Sequence, residues 1–199
     1  MKNIFENIFE FCKTLNFEPT PRQAELFALV QRGCPRIAVK AGNGTGKTTA
    51  SVVSCLWQVL RNPGSRGLVV TPTMGMYRDI WLREAKEILR KSDPSLKKQI
   101  VVDDLKIIFA GKGDWGIRRL RAEKGEDVMG FVGNHFSIVF DEAAWLSRDM
   151  LKIFEDVFST SNSTFLMLGC LHNRDSAFFD CFGSLKIRWD TLTWGGDVY

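Results

Sequence analysis

The chain has 199 residues, 45% hydrophobic and 25% charged, with 27 Lys and Arg against 23 Asp and Glu for a net charge of +4. That is ordinary globular composition, long enough for one large domain, with a mild basic bias compatible with nucleic acid but not diagnostic of it. Cys12, Cys34, Cys55, Cys170 and Cys181 form no Cys-x-x-Cys pair and are joined by only two histidines, His135 and His172, which argues against a zinc site and fits reduced thiols. No apolar run approaches the ~18 residues of a membrane span, and the N-terminus lacks the apolar segment of a signal peptide. A soluble intracellular protein with no membrane partner is expected.

Residues 3–16 place Ile4, Ile8, Phe11, Cys12 and Leu15 on one helical face, with Asn3 as a cap. A second helix is expected from about Pro21 to Gln31, with Thr20 as N-cap and Pro21 in the first turn. Gln23 stands out because an amide can both donate to and accept from one adenine edge. Phe17 is placed to lie against such a base.

Residues 36–50 carry the strongest signal. A β-type run of Ile37, Ala38 and Val39 meets a glycine-rich turn of Ala41, Gly42, Asn43, Gly44, Thr45 and Gly46. Lys47, Thr48 and Thr49 then open a helix running to about Arg61. This is a phosphate loop. Its glycines let backbone N–H groups turn inward around phosphate oxygens, and the helix start adds its positive end. Lys47 reaches the β- and γ-phosphates, and the Thr48 hydroxyl can ligate Mg²⁺. The first motif position is Ala41 instead of Gly, a small residue that still fits.

Gly67–Thr71 reads as a second buried strand. A helix follows from about Met74 to Lys91, with Tyr77, Ile80, Trp81, Ala85, Ile88 and Leu89 on its apolar face. Strand then helix, twice, predicts a parallel α/β sheet. Residues 99–102, 106–110 and 115–121 read as strands of an antiparallel insertion at the sheet edge, with Arg118, Arg119 and Arg121 as the densest basic cluster. After the glycine-rich stretch 125–135 comes a run of buried-strand type, Ser137 to Phe140, ending in Asp141 and Glu142. At the end of a strand beside a phosphate loop, Asp141 is placed to hold Mg²⁺ and Glu142 to activate the attacking water. A short helix from Arg148, a central strand from Thr164 to Gly169, a helix at 177–182 and a last strand within 185–193 complete the chain. Polar groups just past the central strand, among His172, Asn173 and Arg174, can sense the γ-phosphate.

Together these residues resemble the ATPase domain of the large terminase subunit, the DNA-packaging motor of tailed bacteriophages. Phe17-Glu18-Pro19-Thr20-Pro21-Arg22-Gln23 looks like the adenine-reading motif shared with DEAD-box helicases, which implies that Phe17, Arg22 and Gln23 contact the nucleotide. Ala41–Thr49 is similar to the family's phosphate loop. Gly130-Phe131-Val132-Gly133-Asn134-His135, leading into Ile138–Ala144, is the most family-like run, and Leu168–Phe179 resembles the coupling motif.

The resemblance implies a P-loop NTPase of the ASCE or RecA-like type: a mostly parallel sheet flanked by helices, with a small antiparallel edge insertion. It implies one ATPase domain over 1–199, with 1–33 as N-terminal helices and adenine motif and 34–193 as the core. The family's nuclease domain is expected to be absent from this chain. It implies ATP and Mg²⁺ as cofactors, and double-stranded DNA, the portal of the procapsid and a small terminase subunit as partners. The working form is a ring, by resemblance a pentamer, in the host cytoplasm, while the chain alone can be a monomer. Many terminases carry an arginine inside the phosphate loop, where this chain has Asn43 and Gly44. The compensating arginine is expected from elsewhere, with Arg118, Arg119 and Arg121 as candidates, either within the chain or from a neighbouring subunit. A DEAD-box-like helicase core and a non-hydrolysing nucleotide-binding module are the alternative readings.

Overall fold

The structure, a computed structural model, describes residues 5–109, 114–121, 128, 131, 133–159 and 161–195. The Asn3 cap, the turn at 111–113 and most of the glycine-rich stretch 125–132 lie outside the described residues.

The chain enters through α1 (Ile8–Thr14) and α2 (Pro21–Gln31). The first starts later than the sequence suggests, because Asn7 is its cap and accepts from the Phe9 and Glu10 N–H groups. Thr20 caps α2 with Pro21 behind it, and Gln23 closes a reciprocal capping box. Then come β1 (Arg36–Ala41), α3 (Lys47–Arg61) and β2 (Arg66–Val70). The helical segment after β2 is wound as a π-helix over Met76–Leu82 before continuing as α4 (Arg83–Lys91). Its wider turns shift the phase of the apolar stripe. Tyr77 and Trp81 are fully buried and stack at 6.0 Å, whereas Ile80, expected on the same buried face, is 45% exposed.

A short α5 (Pro94–Lys97) leads to β3 (Ile100–Val102), β4 (Lys106–Phe109) and β5 (Gly116–Arg119). β6 (His135–Asp141), α6 (Arg148–Val157), β7 (Asn162–Gly169), α7 (Ala177–Asp180) and β8 (Asp190–Trp194) finish the fold. All eight strands form one sheet, in the order β3-β4-β5-β2-β6-β7-β1-β8. From β5 to β8 every neighbouring pair is parallel, and only β3–β4 and β4–β5 are antiparallel. The edge insertion is therefore smaller than its sequence suggests: β5 joins the parallel sheet beside β2, and only β3 and β4 run against it.

Period-two alternation on the central strands explains why both faces are covered. On β7, Leu166 and Leu168 face the layer containing α1–α4, while Phe165 and Met167 face the layer containing α6 and α7. Val139 and Phe140 divide in the same way on β6. α3 lies in the first layer with most of its length buried. Its Ser51 Oγ accepts from Trp81 Nε1 at 2.9 Å, and its Val59 carbonyl accepts from Trp115 Nε1 at 2.8 Å. No helix among the described residues is long and apolar enough to cross a membrane.

Gly116 marks where the edge strands come closest. A Cβ there would lie 2.3 Å from the Ile107 carbonyl oxygen, a backbone atom that cannot swing aside. Gly116→Ala is expected to destabilise the fold by roughly 1–3 kcal/mol. Thermal melting should then show a fall of about 2–4 °C for each kcal/mol, and an unchanged midpoint would show that β4 yields freely.

Candidate active site

The sheet order places β7 between β1 and β6, so the phosphate loop after β1 and the acids ending β6 flank one strand at the C-terminal edge of the sheet. Ligand sites of open α/β sheets lie at this edge. A cleft of about 640 Å³ opens there, walled by Asn43, Met76, Glu142, Trp145, Cys170 and His172 among others. A smaller cleft of about 300 Å³ lies at the opposite edge, around Trp57, Gln58 and His135, away from both motifs.

The loop itself is set by two glycines with φ of +72° at Gly44 and +80° at Gly46, values that only glycine adopts without strain. Ala41 is fully buried at the end of β1, Gly42 accepts a hydrogen bond from Thr45 Oγ1 at 2.8 Å, and Asn43 and Gly44 form the exposed tip. α3 then begins at Lys47 with no side-chain cap, which leaves its first N–H groups for a ligand.

Lys47 is only 6% exposed. Its Nζ lies 2.9 Å from Glu142 Oε1 and donates to Asn43 Oδ1 at 3.4 Å. Thr48 Oγ1 donates to Asp141 Oδ2 at 3.3 Å, joining the two residues expected to hold a cation. The other carboxylate oxygen, Asp141 Oδ1, is buried and has no partner. Burial, then the neighbouring Glu142 charge, pushes the Asp141 carboxyl up to about 6, against the opposing pull of Lys47 and Thr48. A buried, unpartnered carboxylate oxygen beside a threonine hydroxyl is a donor set suited to Mg²⁺. The residues present therefore fit the expected metal.

Glu142 sits at φ +57°, ψ +49°, a left-handed conformation unusual for a side-chain-bearing residue. The turn lifts its carboxylate off the strand line towards Lys47. It also brings the chain against Gly169, where a Cβ would lie 3.0 Å from the Ala143 nitrogen.

Several expected contacts are spent within the protein. Gln23 is 4% exposed; its Oε1 accepts from Thr20 N at 3.0 Å and its Nε2 donates to the Gly46 carbonyl at 3.1 Å. Phe17 packs edge-on against Phe27 at 6.4 Å, a hydrophobic contact with the core, and Arg22 is exposed on the first turn of α2. Asn173 lines the cleft, but its Nδ2 donates to the Ala144 carbonyl and its Oδ1 accepts from Asp175 N, each at 3.0 Å. It ties the loop after β7 to the turn after Glu142 in place of facing a phosphate. Cys170 comes nearer the phosphate loop, with Sγ 3.2 Å from the Ala41 carbonyl oxygen and 3.7 Å from Asn43 Oδ1.

The three arginines are not gathered in the cleft. Arg118 lies over the Phe131 ring at 5.1 Å, Arg119 bonds Thr71 through Nε and Nη2 at 3.4 Å each, and Arg121 is exposed just past β5. β5 stands two strand positions from β6 and four from β1, or about 10 and 19 Å at the usual strand spacing.

Glu84 is a site neighbour that the sequence did not reveal. It accepts from Thr49 Oγ1 at 2.6 Å and so fastens α4 to the second threonine of the loop. In sequence it reads as an ordinary charged residue in the middle of the helix expected from about Met74 to Lys91.

The raised Asp141 carboxyl has a stability consequence with a defined sign. Its folded value, about 6, exceeds the unfolded one, so the stability it contributes is present below about pH 4 and lost as pH rises through about 6. Relative to the metal-free parent, Asp141→Asn is expected to gain thermal stability as pH rises from 4 to 7, by roughly 2–3 kcal/mol at most. Paired melting curves across that range check it, and a difference that shrinks towards pH 7 has the wrong sign.

No protein-family model matches the sequence, and comparison with curated proteins finds no relative. Solved structures do match. The large terminase ATPase domain of Thermus phage P74-26 superposes with a TM-score of 0.69 at 15% identity, over 92% of this chain and 84% of that one. The large terminase of bacteriophage HK97 gives 0.66 at 12% identity, over 91% of this chain and 40% of that one. A large terminase from a thermophilic bacteriophage, solved in complex with ADP, gives 0.64 at 15% identity, over 90% and 46%. The chain spans less than half the length of the latter two large terminases, and its fold is that of the large terminase ATPase domain.

Proposed function

We propose that this chain is the ATPase portion of a large terminase: it binds ATP with Mg²⁺, hydrolyses it, and drives double-stranded viral DNA into a procapsid. The observation that carries the reading is the constellation at the end of β6. Asp141 faces Thr48, Glu142 faces Lys47, and β7 runs between β1 and β6.

The chemistry divides among these groups. The N–H groups of the loop and of the first turn of α3 cradle the phosphates. A triphosphate competes with Glu142 for Lys47, because both offer anionic oxygens to one buried ammonium. Once Lys47 has turned to the phosphate, the Glu142 carboxylate is released to orient a water and take its proton. Thr48 and Asp141 are the residues that would hold Mg²⁺, which supplies charge neutralisation on the phosphoryl oxygens. The structure of a terminase of this fold with ADP bound supports nucleotide as the ligand class.

Transition-state charge also needs a further cation, and among the described residues no arginine lines the cleft. We assign that role to an arginine of a second copy, with Arg118, Arg119 and Arg121 as candidates, in a pentameric ring on the portal. The small terminase subunit would deliver the DNA.

Glu142→Gln tests the enzyme reading. ATP binding should persist or tighten, since Lys47 loses its competing anion, while phosphate release falls by roughly 10²–10⁴-fold. Equal phosphate release from parent and variant would sink the assignment. The second-copy arginine is read separately from concentration dependence. Specific activity per chain should climb as concentration rises, and a flat, fully active dilution series removes the need for a second copy.

A further inference from the structure

Gln23 stands where a base contact is expected from the sequence, yet both ends of its amide are engaged inside the protein. The partners fix which end is which. The Thr20 N–H needs an acceptor and receives Oε1, while the Gly46 carbonyl needs a donor and receives Nε2. The Gly46 carbonyl also accepts from Ala50 N at 3.0 Å, the first turn of α3. Two donors therefore hold one peptide oxygen.

That oxygen belongs to the peptide joining Gly46 to Lys47. The peptide is planar and trans, so its C=O and N–H point in opposite directions. With the carbonyl fixed towards Ala50 and Gln23, the Lys47 N–H is aimed back into the loop, where phosphate oxygens are cradled. Gly46 has φ +80° and, as a glycine, little intrinsic preference to keep that peptide in place. The fit around it is close, since a Cβ on Gly46 would lie 2.7 Å from Gln23 Nε2.

We propose that Gln23 is a positioning residue of the phosphate loop: it orients the Gly46–Lys47 peptide and thereby sets affinity for the polyphosphate, whatever base is attached. This rests on the nucleotide-binding reading above. Phe17 is consistent with it, being packed on Phe27 within the core layer.

The test is calorimetric titration of the full chain, with Mg²⁺, against ATP, GTP and inorganic tripolyphosphate. Gln23→Ala removes both amide contacts. Gln23→Glu keeps an acceptor for the Thr20 N–H but turns an oxygen towards the Gly46 carbonyl. Both variants should weaken all three ligands by a common factor of roughly 5–10, leaving the ATP-to-GTP affinity ratio at its parent value. Loss of ATP affinity alone, with GTP and tripolyphosphate unchanged, overturns the inference and restores a base-reading role. Thr20→Ala separates the loop effect from the helix start, because it removes the cap hydroxyl and leaves the Gln23–Gly46 bond. It should bind all three ligands within about twofold of the parent, and a loss matching that of Gln23→Glu also overturns the inference. A parent chain that binds none of the three ligands sinks the nucleotide reading, and this inference with it.

Discussion

A lysine ammonium buried at the junction of the phosphate loop and α3 has to be neutralised, and much of the site follows from that requirement. An unpaired charge in such a place costs several kcal/mol. Lys47 meets the cost with Glu142 and the Asn43 amide oxygen. Glu142 reaches it because the chain turns left-handed at the end of β6, and that turn has room because residue 169 is glycine. A backbone strain, a missing Cβ and a buried ion pair are thus parts of one arrangement. The pair holds the expected base on the expected phosphate-binding cation, so on the proposed function ligand binding and release of the base would be the same event.

The turn after β6 is also where motion would be transmitted. Asn173 clamps the Ala144 carbonyl to the loop after β7, and Arg148, just beyond, bridges to Asp180 at 2.6 Å. On the proposed function, a displacement of Glu142 towards a water would act on the loop that leads into α7. On the other side, Thr49 to Glu84 and Ser51 to Trp81 tie the phosphate-loop helix to α4 and the π-helix. Since π-turns concentrate at functional sites, the segment that places Met76 in the cleft wall is the natural receiver of any shift in α3.

The fold was legible to the extent that its signals are periodic and local. The central strands announce themselves as apolar runs, and Lys47, Thr48, Asp141 and Glu142 are brought together at the sheet edge where the strand–helix rhythm implies. What stayed hidden depends on partners far apart in the chain. Nothing local distinguishes Ile80 from Tyr77, because the π-winding that exposes one and buries the other is a tertiary outcome. The parallel pairing of β5 with β2 leaves no local mark either, since its residues would serve equally in a hairpin with β4. Side-chain amides are the least legible of all. Gln23 and Asn173 were singled out as polar groups at the right distances along the sequence, yet their hydrogen bonds go to backbone groups that only the fold presents.

The arginine question follows from where charge sits on the sheet. On the proposed function, a triphosphate would bring several negative charges to an edge where the buried Lys47 is already paired with an acid. On the same reading, Mg²⁺ and the loop amides would offset part of this, but neither would move with the charge that develops as the γ-phosphoryl departs. β5 carries its arginines on the far side of β2, where Arg119 is turned to the Thr71 backbone and Arg118 to an aromatic ring. Along one chain, the intervening strands separate them from the phosphate loop. In a ring of copies, a cleft with Glu142 30% exposed at its wall presents that deficit to whatever surface packs over it. In the proposed ring, a basic edge strand on the adjoining copy would be a counterpart of the required sign, and assembly would then complete the charge balance.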